Sequence, residues 1–153
     1  MDGSSRLATL EHSRRVDELM LQMVMEIQGR ITKHDRSKME DPELEIFDKF
    51  SPRLKNSTYG SEEYNGFLKE MKVALDHHYA NNRHHPEHFS NGVNDMTLVD
   101  LVEMLSDWKA ATERHDDGDL ERSLEIQKER FGLSDQLVSI LRNTAREAGW
   151  IPA

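Results

Sequence analysis

At 153 residues the chain has the length of one domain, able to bury about two-thirds of its unfolded surface, and residues 1–153 are expected to fold as a single unit. It contains no cysteine, which excludes disulfides, thiolate zinc sites and cysteine nucleophiles, and its formal charge of −9 argues against broad nucleic-acid binding. No apolar run approaches the ~20 residues of a membrane span, and the opening MDGSSRLATLEHSRR lacks a signal-peptide core, so a soluble, cytoplasmic protein is expected.

Residues 5–31 predict one amphipathic helix, with Leu7, Leu10, Val16, Leu19, Met20, Met23, Val24, Ile27 and Ile31 at three- and four-residue steps. Its methionines are read as core packing or a partner surface, because Met fills irregular gaps. His12, four residues before Val16, is expected on the buried face. Asp41-Pro42 reads as a helix start, with Asp as N-cap and Pro in the first turn, followed by Leu44, Phe47, Phe50 and Leu54. KNSTYGS is a turn.

Residues 61–80 predict a helix carrying Tyr64, Phe67, Leu68, Met71, Leu75 and Tyr79, which puts His78 on the buried stripe and His77 beside it. Pro86 should end or kink that helix. After the loop FSNGVND, Thr97 and Asp100 form a capping box, with Leu98, Leu101, Val102, Leu105 and Trp108 as the core face. Asp119 caps a further helix ending near Phe131-Gly132. Ser134 caps the last one, which carries Leu137, Val138, Ile140 and Leu141 and closes at Gly149. No strand pattern is present, so the expected fold is an all-α bundle of about five to seven helices.

Five of the eight histidines, His77, His78, His84, His85 and His88, fall within HHYANNRHHPEH. Imidazole is the commonest transition-metal ligand, and five charged imidazoles so close together would repel unless a cation replaced their protons. His84-His85 before Pro86 can address one ion or two, with His78 about two helical turns earlier; a solvated polar loop is the plain alternative. Glu87 could accept a proton or support a ligand histidine, and His88 lies beyond the proline as a secondary candidate. His34-Asp35 could grip an ion between its two side-chain directions, or simply end one helix and cap the next turn. Asp100, Glu103 and Asp107 share a helix side. Asp100 is explained by the capping box, while Asp107 sits among core residues and would need a partner or a cation, unless that face is solvated.

The order HD, His78, His84-His85, Asp107 resembles the HD-domain superfamily of metal-dependent phosphohydrolases, all-α proteins with ligands in the pattern H…HD…H…H…D. In HDRSK, Ser37 and Lys38 stand where that superfamily often has Gly and Lys. The HD-x-SK, N-x-HHPEHF and DLVEMLSDWKAA blocks resemble more narrowly a family of small, functionally uncharacterised proteins of bacteria and their phages, over His12 to Arg142. The superfamily resemblance implies an HD-like domain in which His34, Asp35, His78, His84, His85 and Asp107 hold one or two divalent ions, Mn, Fe or Zn ahead of Mg. It implies a catalytic role for Lys38, steadying a phosphate; Glu87, as a proton acceptor, is the other catalytic candidate. The first ligand of the pattern would be His12, but a continuous helix would place it ~33 Å from His34, so it can join only if the chain doubles back within residues 20–30 or a second subunit supplies it.

The implied activity is hydrolysis of a small phosphate ester, a nucleotide first among them, by a protein that binds a small phosphorylated substrate, touches no membrane and is compatible with a homo-oligomer. Two alternatives carry other chemistry. One is a di-iron oxygenase on the same ligand set. The other is a non-enzymatic, metal-stapled binding protein of phage or bacterial origin.

Overall fold

The structure is a computed structural model that describes residues 4–57, 61–114 and 118–152, so the centre of the expected KNSTYGS turn, residues 58–60, lies outside the described residues. Among the described residues there are seven α-helices and no strand: α1 (Ser4–Ile31), α2 (Glu43–Asn56), α3 (Glu62–Glu70), α4 (Lys72–Asn81), α5 (Leu98–Thr112), α6 (Leu120–Phe131) and α7 (Asp135–Glu147). The all-α expectation is met. The chain divides into two compact units, residues 1–34 and 35–153.

The first unit is α1 and the residues that follow it. Its helix passes Gly29 without a break, and no residue along it is buried. Arg14 and Arg15 both pair with Glu18, at 3.3 and 2.9 Å. His12 is exposed, contrary to the expected buried face. The fold-back within residues 20–30 that would have brought it to a shared ion does not occur, since ~28 Å of continuous helix separates His12 from Ile31. Within one chain His12 therefore cannot share an ion with His34.

The second unit is built from two packed groups. Asp35 opens a 3-10 turn, Arg36–Met39, that packs on α2 and α4, and α2, α3 and α4 pack on one another. Phe50, Met71 and Ala74 are buried in that group. The expected helix over 61–80 is two helices: Ser61 caps α3 by accepting from the Tyr64 N–H at 3.1 Å, and Met71, buried at the break, separates α3 from α4. The helix start at Asp41-Pro42 shifts by one residue, because Pro42 itself takes the cap position of α2 with no side-chain cap. Nor does Pro86 end α4. That helix stops at Asn81, where the Asn82 amide folds back to donate to the His78 carbonyl at 2.8 Å, and Pro86 opens a separate 3-10 turn.

The other group is α5, α6 and α7, whose core is Met104, Leu105, Trp108, Leu120, Leu124, Leu133, Val138, Leu141, Ala145 and Ile151. All three expected caps are present. Thr97 and Asp100 form the capping box of α5, Asp119 accepts from two N–H groups at the start of α6, and Ser134 accepts from Leu137 at the start of α7. Gly132 ends α6 at φ 62, a left-handed conformation that costs glycine little. The expected core face of α5 is met at Leu105 and Trp108, but the buried stripe is shifted at its start: Val99 and Met104 are buried, whereas Leu98 is 72% and Val102 41% exposed. Asp100 explains the shift. Fully buried, it accepts from Arg83 Nε and Nη2 at 3.1 and 3.0 Å and from Thr97, so it occupies the face with Val99.

Candidate metal centre

Asp35 is the one described non-glycine residue with positive φ, at 54°, a region that Asp enters more readily than most side chains. Its backbone carbonyl accepts from the Lys38 N–H at 3.0 Å, and Lys38 Nζ holds Oδ2 at 2.6 Å. Oδ1 is left facing the imidazoles, 3.4 Å from His78 Nε2 and 3.5 Å from His84 Nε2. His85 Nε2 lies 2.9 Å from His78 Nε2. His78 comes from the last turn of α4, while His84 and His85 come from the extended segment before Pro86.

These separations fit a common cation. Two donors each ~2.0–2.1 Å from one ion lie ~2.9 Å apart at an octahedral angle and ~3.4 Å apart at a tetrahedral one. Asp35, His78, His84 and His85 can each offer one atom such that all lie within 4.8 Å of one another. Asp35, His84 and Asp107 satisfy the same limit, with Asp107 reaching in from α5. Asp35 and His84 thus belong to both groupings. Three separate stretches of the second unit converge as the sequence suggested.

Behind the ring nitrogens stand two carboxylates. His78 Nδ1 lies 2.8 Å from Glu43 Oε2 and His77 Nδ1 2.6 Å from Glu43 Oε1. His84 Nδ1 lies 3.2 Å from Glu103 Oε1. A carboxylate on the far nitrogen is the usual partner of a metal-binding histidine, since it fixes the ring and raises its basicity. Burial lowers the pKa of His78, Lys38 lowers it further, and Glu43 and Asp35 work the other way; the net direction is down. Burial, with His84 and His78 beside it, pushes His85 down to about 3, so at neutral pH it is an uncharged imidazole with a lone pair to give. For Glu43 burial pushes the pKa up, but hydrogen bonds with His77, Ser37 and His78 together outweigh it and leave the carboxyl below its ordinary value.

Two of the other expected residues, Glu87 and His88, stand elsewhere. Glu87 pairs with Arg130 of α6 at 2.7 Å, because the 3-10 turn begun by Pro86 turns it that way; the carboxylates behind the histidines are Glu43 and Glu103 instead. His88 Nδ1 is 2.8 Å from the Tyr79 carbonyl, a link that ties the turn to α4, and it belongs to neither ligand grouping. Lys38 is engaged with Asp35 and lies 5.7 Å from the Phe47 ring centre, so its charge sits beside a candidate ligand carboxylate. His34 is the last residue of the first unit, its N–H donating to the Arg30 carbonyl at 2.8 Å. Glu43 was invisible as a site residue because an acidic residue after Pro42 reads as an ordinary solvated first turn. Glu103 left a signal, one turn before Asp107 on the same helix side.

Fold and site together define an all-α protein with a histidine–carboxylate cluster that can hold a metal ion. No helix among the described residues is long and apolar enough to cross a membrane. The chain belongs to a family of unknown function, DUF5662, whose profile matches residues 1–147. No curated protein and no solved structure matches it.

Proposed function

We propose that the protein is an HD-type metal-dependent phosphohydrolase acting on a small phosphate ester, with nucleotides the first class to assay. The carrying observation is the convergence of Asp35 Oδ1 with the ring nitrogens of His78, His84 and His85, two of those rings being backed by carboxylates. The order of these residues along the chain, with Asp107 last, supports the HD assignment. Asp35, His78, His84, His85 and Asp107 are the ligand set, for one or two ions of Mn, Fe or Zn. His34 is added on its adjacency to Asp35 in the chain.

A divalent cation held there supplies Lewis acidity toward a phosphoryl oxygen and toward water. The chain's own residues do the remaining work. Imidazoles from buried His78 and His84 keep the ligand atoms dry and oriented, and Glu43 and Glu103 hold the rings from behind. Lys38 balances Asp35 and presents a point charge next to where a phosphate would meet the ion. The decisive experiment loads the chelator-stripped protein with Mn²⁺, Fe²⁺ or Zn²⁺ and assays nucleotides and phosphodiesters. Metal-dependent phosphate release is expected. Metal binding without turnover of any member of the panel would reject the activity.

A second reading has its own support. The apolar side chains of α1 are largely exposed, Met20 at 63% and Met25 at 70%, as in a helix that engages a protein partner. On that reading the metal is a staple. Aspartate or alanine substitutions at Met20 and Met25 would then abolish partner capture and leave Zn²⁺ binding intact.

A further inference from the structure

We infer that Glu43, which contributes no ligand atom, is the positioning residue of the metal centre: it bridges His77 and His78 and holds His78 in the tautomer that turns an Nε2 lone pair toward the cation. The inference rests on the metal-centre reading and adds an element to it, since it ties α2 to a site whose ligands all come from other stretches.

Glu43 is the first residue of α2 and is 0% exposed. A carboxylate at that depth is costly unless its oxygens are satisfied. Both are. Oε1 takes His77 at 2.6 Å and Oε2 takes His78 at 2.8 Å, with Ser37 a further hydrogen-bond partner. An ionised carboxylate only accepts, so each of these Nδ1 atoms must carry the proton. The neighbouring Asn82 Nδ2 also lies 3.0 Å from His78 Nδ1, but it has no hydrogen to spare for that contact. Its two hydrogens have acceptors in Ser37 Oγ at 2.7 Å and the His78 carbonyl at 2.8 Å.

With the proton on Nδ1, Nε2 of an uncharged His78 is the free donor atom, and it is Nε2 that lies near Asp35 Oδ1 and His85 Nε2. The Phe47 ring meets the His78 ring edge-on at 6.1 Å and limits its rotation. The negative charge one bond beyond the ligand also makes His78 a stronger donor to a cation. Glutamine at position 43 keeps the shape but offers one acceptor oxygen where two are used. Its amide group would face one of the two imidazoles and force the other tautomer there.

The test uses the full-length, chelator-stripped protein, titrated calorimetrically with Zn²⁺ alone, together with ¹⁵N spectra of the imidazole nitrogens before metal is added. Wild type should bind Zn²⁺ and show His78 protonated on Nδ1. The Glu43→Gln variant should keep its helical circular dichroism, bind Zn²⁺ ~10–100-fold more weakly and show a mixed or reversed His78 tautomer. A folded variant with wild-type affinity and tautomer would overturn the inference. So would a wild-type spectrum with the His78 proton on Nε2, which decides the matter even if the variant does not fold. A wild type that takes up no Zn²⁺ overturns the metal centre itself, and that result is read before any variant is compared.

Discussion

Asp35 combines a left-handed backbone with a carboxylate divided between two tasks, Oδ2 on Lys38 and Oδ1 toward His78 and His84. Asparagine at this position keeps the shape and the backbone preference but removes the charge. Asp35→Asn should therefore lose more Zn²⁺ affinity than the ~10–100-fold typical of losing an outer partner, with its far-ultraviolet spectrum unchanged. Calorimetric titration checks this, and an unchanged affinity would remove Asp35 from the ligand set. Asp100 makes the opposite kind of prediction, about stability alone. It is buried, closes the capping box and accepts two bonds from Arg83. Asp100→Ala should cost ~2–4 kcal/mol in denaturant unfolding without moving Zn²⁺ affinity.

For the helices, the question is which face is buried. Two residues of α5 separate the possibilities: Met104 is fully buried and Leu98 exposed. Met104→Ala should destabilise by ~2–5 kcal/mol, and Leu98→Ala by no more than ~0.5 kcal/mol. Equal effects would contradict the observed burial of Met104 and exposure of Leu98. The end of α6 and the start of α7 are joined by Lys128 and Asp135 at 2.6 Å, on the surface. The pair lowers the Asp135 pKa below its usual 3.8 and raises that of Lys128 above 10.5. A lowered acid contributes stability above its unfolded pKa and loses it as pH falls through the folded value; a raised base contributes below its unfolded pKa and loses it as pH rises. The melting-temperature difference between wild type and Lys128→Met should thus be small and present at neutral pH. It should vanish at both extremes and shrink in high salt.

For the molecule as a whole, a cation that binds the folded state and not the unfolded one stabilises by mass action. With Zn²⁺ at about 100 times its dissociation constant, chelation should lower Tm by ~5–10 °C, an effect that calorimetry reads directly and that Asp35→Asn should lack. Coincident melts with and without chelator would argue against a site built into the native fold.

Much of the architecture was written locally. Thr97 with Asp100, Asp119, Ser134 and Gly132 each mark a helix end through a bond to a backbone group a few residues away, so neighbours in sequence suffice to specify them. The ligand types were equally plain, because a crowd of imidazoles with few alternative uses stands out in any chain. Burial was not local. Which stripe of α5 faces inward depends on Arg83 reaching Asp100 from seventeen residues away, and Glu43 lies beneath two histidines more than thirty residues downstream. Glu87, beside the histidines in sequence, faces Arg130 instead. Carboxylates are alike in one dimension, and only packing assigns each of them a partner. The chain alone could name the metal-seeking side chains, but their support came from the way distant helices enclose them.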